Sequence, residues 1–101
     1  MDLNKYIRFD KKFAFKILGK MIQTKRELQN KSIEELSRTL VISSHKLQMI
    51  ERGLNFMTPE QFNTCVIDLE ITQSELQEAY YIIESHYLLN VYKELDENFP
   101  V

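Results

Sequence analysis

The sequence has little of what builds turns, disulfides or membrane spans. Its 101 residues include two Gly, two Pro, one Cys and no Trp. So few Gly and Pro residues exclude collagen-like, low-complexity and turn-rich β architectures and favour a mostly helical chain. One cysteine forms no internal disulfide, which favours a reducing, cytoplasmic location. No apolar run approaches the ~20 residues that span a bilayer, and we expect neither a signal peptide nor a membrane partner.

Residue clusters typical of catalytic or metal sites are also missing. The one Cys and two His residues stand at no metal-ligand spacing, and no Gly-rich phosphate loop or catalytic triad pattern is present. Cys65 lies on an apolar helix face between Phe62 and Val66, which is typical of a small core residue. We therefore expect no enzyme, no cofactor and no metal site.

Charge is divided unevenly along the chain. The formal net charge is −2, but residues 1–53 carry twelve bases against six acids, a net +6, and residues 54–101 carry one base against nine acids, a net −8. This asymmetry is typical of a chain whose basic part meets an anionic partner. A chance imbalance between two solvated faces explains it as well. In the first interpretation, the acidic half limits indiscriminate binding to polyanions.

Apolar periodicity and capping residues predict four short helices and one long helix. The first helix begins near Phe13 and ends before Asn30, a residue that tolerates the left-handed conformation. Ser32 and Glu35 form a predicted capping box, in which the glutamate accepts from the serine amide. Later helix starts are predicted at Ser43, at Thr58-Pro59 and at Thr72 or Ser74, and the last helix is predicted to reach Asn98.

The second and third predicted helices, joined by a short turn, form a helix-turn-helix arrangement. In such a unit the second helix can lie in the major groove of DNA. On a helical wheel, Leu47 and Ile50 of segment 43–52 fall on one side. The opposite arc of about 140° collects Ser44, His45, Gln48, Met49 and Arg52. Any amphipathic surface helix shows this division, so the wheel alone does not identify a DNA reader.

A longer pattern covers residues 15–77. It includes the segment 42–53, ISSHKLQMIERG, and both glycines of the chain, Gly19 and Gly53. Its other positions are Leu18, Ile22, Arg26, Ser32, Glu35, Leu36, Ser37, Leu40, Leu69, Ile71, Thr72, Glu75 and Leu76. This pattern resembles the lambda-repressor-like family, the XRE or Cro type of helix-turn-helix protein. The resemblance implies an all-α, five-helix domain that is dimeric on pseudo-palindromic double-stranded DNA, with segment 43–52 as the recognition helix.

The resemblance also implies roles for single residues. Arg26 and Glu51 occupy positions that form a partly buried ion pair in the family. Candidate base contacts are Ser44, His45, Gln48 and Met49, because glutamine pairs with adenine, histidine donates to guanine and methionine packs on a thymine methyl group. Candidate phosphate contacts, which position the domain, are Ser43, Lys46, Arg52 and Asn55. Ordinary exposed polar side chains are the alternative interpretation of these residues.

Several residues depart from the family pattern. Val41 replaces a turn glycine, Ser37 an alanine and Asn30 the glycine after the first helix. Ile33 stands where a glutamine often anchors a DNA phosphate, and Met49 stands where a polar base-reading residue is common. Ile33 and Met49 favour a rival interpretation, in which the fold serves as a protein-interaction module of antitoxin or phage-inhibitor type.

The last predicted helix is apolar around most of its girth. Twelve of the twenty residues 76–95 are apolar or aromatic, and such a helix is buried on more than one side. We predict a homodimer through Tyr81, Ile82, Leu88, Leu89 and Tyr92, because tyrosine is enriched at interfaces. Alternatively, the N-terminal segment covers this face with Leu3, Tyr6, Ile7 and Phe9.

These observations predict three segments: an N-terminal arm or short helix at 1–12, a helix-turn-helix domain at 13–77 and a dimerisation extension at 78–101. The predicted function is a cytoplasmic, DNA-binding transcriptional regulator. The resemblance implies a repressor of phage, plasmid or mobile-element type. Besides the protein-interaction module, a third interpretation is the DNA-binding head of a sensor, although no ligand pocket is evident from the sequence.

Overall fold

The computed structural model describes the backbone of residues 11–98 and the side chains of residues 11–90. These residues form five α-helices and no strand. The helices are α1 (Lys11–Leu28), α2 (Ile33–Leu40), α3 (Ser44–Glu51), α4 (Pro59–Asp68) and α5 (Gln73–Asn98). The predicted all-α, five-helix architecture is confirmed. Most of the predicted arm 1–12, and the side chain of Tyr92, lie outside the described residues.

Hydroxyl side chains cap the starts of four helices. Ser32, Ser43, Thr58 and Thr72 each accept a hydrogen bond from the backbone N–H three residues later. Each such cap contributes about 1 kcal/mol by satisfying a free N–H group. The capping box predicted at Thr58 is complete. The one predicted at Ser32 is not, because the Glu35 carboxylate accepts from the Ser32 hydroxyl, at 3.4 Å, instead of from the Ser32 amide.

Among the residues that the structure describes, three non-glycine residues adopt the left-handed conformation just after a helix. They are Asn30, Val41 and Glu70, with φ of 55°, 56° and 53°. Asparagine tolerates this region, whereas a β-branched side chain is strained in it. Val41 ends α2 at the turn toward α3 and is 87% exposed, so packing does little to offset that strain.

Two apolar clusters hold the helices together. The larger cluster packs the four helices α1, α2, α3 and α4 together. Each of them contributes at least one fully buried side chain, namely Ile22, Leu36, Leu47, Ile50 and Cys65. The smaller one joins α1 to α5 through Ala14, Leu18, Ala79 and Ile83. Burial raises the pKa of the Cys65 thiol to about 12. Cys65 is therefore a core residue, as predicted, and an unreactive thiol at neutral pH.

Both glycines mark close backbone contacts of α1 with α3 and the residues after it. A Cβ atom on Gly19 would collide with the backbone oxygen of Ile50, in the last turn of α3. Gly53 has φ of +78°, and a Cβ atom there would lie 2.7 Å from the Cα of Lys16. The absence of a side chain at these two positions lets α1 pack directly against α3.

Candidate nucleic-acid interface

A pair of serines joins α2 to α3. The Ser37 hydroxyl donates to the Glu34 carbonyl at 2.9 Å, and its oxygen lies 3.3 Å from the Ser44 hydroxyl oxygen. Since the single Ser37 proton is used within α2, the Ser44 hydroxyl is the donor of the second bond. Ser44 is half-buried. The Ser44 hydroxyl can therefore only accept further hydrogen bonds. It can bind an amino group of a base, but it cannot donate to a base acceptor such as a carbonyl oxygen.

The outer side of α3 is polar and open to solvent. His45, Gln48 and Arg52 are exposed, while Leu47 and Ile50 are fully buried beneath them. Met49 is half-buried next to the exposed residues. The outer surface therefore presents an imidazole, a carboxamide and a guanidinium, three groups that can hydrogen-bond base edges or phosphates.

The predicted phosphate contacts lie at the two ends of α3. The Ser43 oxygen accepts from the Lys46 N–H at 3.0 Å, which leaves the Ser43 hydroxyl proton free to donate. The Asn55 side-chain oxygen accepts from the Phe56 N–H at 2.7 Å, which leaves the Asn55 amide NH₂ group to donate outward. Lys46 is half-buried and Arg52 is exposed. Together these residues offer hydrogen-bond donors near both ends of α3.

A cleft of about 290 Å³ opens between α1, α2 and α3. It is lined by Gln23, Arg26, Ile33, Gln48, Glu51 and Arg52. Ile33, the residue that departs from the family pattern, thus lies beside Gln48 and Arg52 and also packs on the core. Sequence reasoning missed Gln23. No local signal pointed to it, since 25 sequence positions separate it from Gln48.

Arg26 and Glu51 contact each other through two hydrogen bonds. The Arg26 Nε and Nη2 atoms donate to the two Glu51 carboxylate oxygens at 2.7 and 2.9 Å, and Nη1 donates to the Lys31 carbonyl at 2.8 Å. The residues are 9% and 7% exposed. The hydrogen bond to Glu51 raises the pKa of Arg26. This arrangement ties α1, the start of α2 and the end of α3 together.

Four of the five residues predicted to form a dimer interface, Tyr81, Ile82, Leu88 and Leu89, lie on the open side of α5. Tyr81 and Leu89 are each 69% exposed, and Ile82 and Leu88 are exposed as well. Ile82 also borders a groove of about 300 Å³ between α1 and α5, lined by Met21 and Leu28 among others. An apolar surface therefore continues from α5 onto α1.

Neither a metal cluster nor a membrane helix is found where the structure can be described. No three or more His, Cys, Asp and Glu side chains of the described residues come together as metal ligands do. Within the same residues, every helix is too short or too polar to cross a bilayer.

Comparison with known proteins identifies the fold. No model of a known protein family matches the chain, and no curated protein sequence does. Among solved structures, the chain is similar to the clp gene regulator ClgR from Corynebacterium glutamicum, with a TM-score of 0.62 and 19% identity over 87% of this chain and 96% of that chain. The chain therefore has a helix-turn-helix fold that is also found in a gene regulator.

Proposed function

We propose that the protein is a DNA-binding transcriptional regulator in which α3 enters the major groove. The observation that carries this proposal is the division of α3 into an exposed side with His45, Gln48 and Arg52 and an inner side locked to the core. A recognition helix needs this combination, because its readers must reach base edges while its backbone is held rigidly. The regulator ClgR, which shares the fold, supports the same class of function.

Sequence discrimination follows from the groups on the exposed side of α3. Gln48 has the carboxamide that pairs bidentately with adenine, and His45 can donate to the acceptors of guanine. Ser44 accepts from a base amino group, and Met49 packs on a thymine methyl group. Lys46, Arg52, Ser43 and Asn55 hold phosphates and set the register of α3 without reading sequence.

The apolar side of α5 supports a homodimer on two half-sites. A two-fold dimer buries the same patch on both copies, and α5 offers such a patch in Tyr81, Ile82, Leu88 and Leu89. The two recognition helices would then lie about 34 Å apart, one turn of DNA, and read a pseudo-palindrome. We propose that such a dimer acts as a repressor by covering the DNA that it binds.

Selection of bound duplexes from a random library, followed by titration, tests this function. Fluorescence anisotropy of a selected duplex and of a scrambled one is measured over a range of salt concentrations. We expect a preference for the selected duplex and an affinity that falls with salt, by a slope of about −0.9 for each phosphate contacted. Affinity that does not depend on salt contradicts a DNA-binding role.

A protein-interaction role for the α3 side is the second candidate function. The observation that favours this role is that apolar side chains surround the proposed base-contacting residues of α3. Ile33 and Met49 are half-buried there, and Leu54, just after α3, is 59% exposed. The same titration separates the two functions, since a protein-binding module selects no common sequence from the library.

A further inference from the structure

Three lysines of α1 form a basic ridge beside the last turn of α3. Lys12, Lys16 and Lys20 recur at every fourth position, which places them along one face of the helix, and all three are exposed. We propose that this ridge binds the phosphate backbone of DNA next to the groove that α3 occupies. The inference rests on the proposed DNA-binding function and adds a contact surface outside the recognition helix.

Backbone contacts fix where the ridge lies. The Cα of Lys16 is so close to Gly53, two residues after the end of α3, that a Cβ on Gly53 would lie 2.7 Å from it. Gly19, between Lys16 and Lys20, touches the backbone of Ile50 and Glu51. The ridge therefore runs alongside the C-terminal end of the recognition helix.

The dimensions of DNA place a phosphate strand near the ridge. The major groove is about 12 Å wide, and packed helices lie about 8–10 Å apart, or closer where a glycine forms the contact. With α3 in the groove, a helix packed beside it lies over one groove wall, which is a line of phosphates. A lysine suits this position, because its ammonium group sits on a flexible four-carbon stem.

The ridge is continuous with the base-reading side of α3. The Lys20 Nζ atom lies 3.5 Å from the Gln23 side-chain oxygen. Gln23 in turn lines the cleft that contains Gln48 and Arg52. A duplex lying against Gln48 and Arg52 thus passes Gln23 and Lys20 before it reaches Lys16 and Lys12.

Three cations of α1 and the turn after it are neutralised by ion pairs, whereas the ridge is not. Lys25 pairs with Glu75 at 3.1 Å, Arg26 with Glu51, and Lys31 with Asp68 at 3.0 Å. Lys12, Lys16 and Lys20 form no ion pair with any residue that the structure describes. Like charges four positions apart repel each other and weaken a helix. An anionic partner removes this repulsion, and a phosphate backbone supplies evenly spaced charges along the whole ridge.

The test compares the double variant K16Q/K20Q with K11Q. Lys11 is an exposed lysine of the same helix, on the side opposite Lys20, so K11Q removes a charge without altering the ridge. We expect K16Q/K20Q to reduce the slope of log affinity against log salt by about 1.8 for each bound protomer, or about 0.9 for each phosphate that is no longer neutralised, which is about 3.6 for the proposed dimer. K11Q should leave the slope unchanged. Both variants should select the same DNA sequence as the wild-type chain, because the ridge reads no bases.

Neutral methylphosphonate linkages then locate the bound phosphates. Each phosphate of the selected duplex is replaced in turn, and the wild-type chain should lose affinity at flank positions where the affinity of K16Q/K20Q stays the same. If wild-type affinity depends on salt but K16Q/K20Q has the same salt slope, the ridge does not bind phosphates. The proposed DNA-binding function is unaffected by that result. Wild-type affinity that does not change with salt concentration contradicts both the ridge and the proposed function.

Discussion

The guanidinium of Arg26 and the carboxylate of Glu51 meet in two nearly equal hydrogen bonds, at 2.7 and 2.9 Å. They connect the last turn of α1 to the last residue of α3 and are 25 positions apart in sequence. The third Arg26 donor reaches the Lys31 carbonyl, just before α2. One side chain therefore fixes α3 relative to α1 and to the start of α2.

Removing one partner of this pair should strongly destabilise the fold. R26M leaves the Glu51 carboxylate buried without its partner, and such one-sided losses cost about 3–5 kcal/mol. The free energy of unfolding in urea measures the effect. The matched change R26M/E51L, which removes both charges, should lie closer to the wild-type value. A loss below about 1 kcal/mol in R26M would show that the pair behaves as a surface ion pair.

Adding one methyl group at Gly19 should disturb the contact between α1 and α3. G19A places a Cβ against the Ile50 carbonyl, and overpacking of this kind costs about 1–3 kcal/mol. The shift of α3 should also weaken specific DNA binding. Thermal unfolding and anisotropy titration measure both effects. The control is T24A, a substitution at an exposed position of the same helix, which should change neither the stability nor the DNA affinity. If G19A has wild-type stability and affinity, α1 and α3 can move apart without an energetic cost.

Replacing Val41 by glycine should stabilise the protein. The left-handed conformation costs an L-residue about 1–2 kcal/mol, and glycine adopts it freely, at an entropic cost of about 0.5–1 kcal/mol. We expect V41G to gain about 0.5–1 kcal/mol and to raise the midpoint of thermal unfolding. T39G, at an exposed position inside α2, should do the opposite and lose up to about 1 kcal/mol. Equal losses in both variants would contradict a strained turn.

Base readers and phosphate contacts should respond differently to substitution. Q48A should reduce discrimination at one base pair of each half-site, by about 1–3 kcal/mol. R52Q should instead weaken binding to all sequences alike and reduce the salt slope by about 0.9 for each half-site. Anisotropy titration of duplexes that carry single base changes separates the two. Equal losses on every sequence in Q48A would contradict its role as a reader.

A charge on the open side of α5 should disrupt the proposed dimer. L89E places a carboxylate in the apolar patch, while I67E places one on α4, where Ile67 is 70% exposed and matches the exposure of Leu89. Sedimentation should show a shift to monomer for L89E alone. Its affinity for a full pseudo-palindrome should then approach that for a single half-site. A dimer that survives L89E contradicts the proposed interface.

Features with local causes could be predicted from the sequence. The caps at Ser43, Thr58 and Thr72 depend on a hydroxyl three residues before a free N–H, and the end at Asn30 depends on that residue's own backbone preference. The predicted Ser32 box differs in one detail, because the Glu35 carboxylate accepts from the serine hydroxyl instead of the serine amide. That α3 contacts phosphates and bases of DNA, and which ones, remains a prediction.

By itself, the sequence determined the five helices, the apolar faces that pack them and the division into a basic and an acidic half. The tertiary structure alone decided which surface residues share a site. It placed Gln23 beside Gln48, set the Lys16 backbone against Gly53, and paired the hydroxyl of Ser44 with Ser37. Periodicity and capping act within a few residues of the chain. The approach of α1 to α3, in contrast, depends on how closely the two backbones pack at Gly19. The periodicity of the sequence does not give the distance between these two helices.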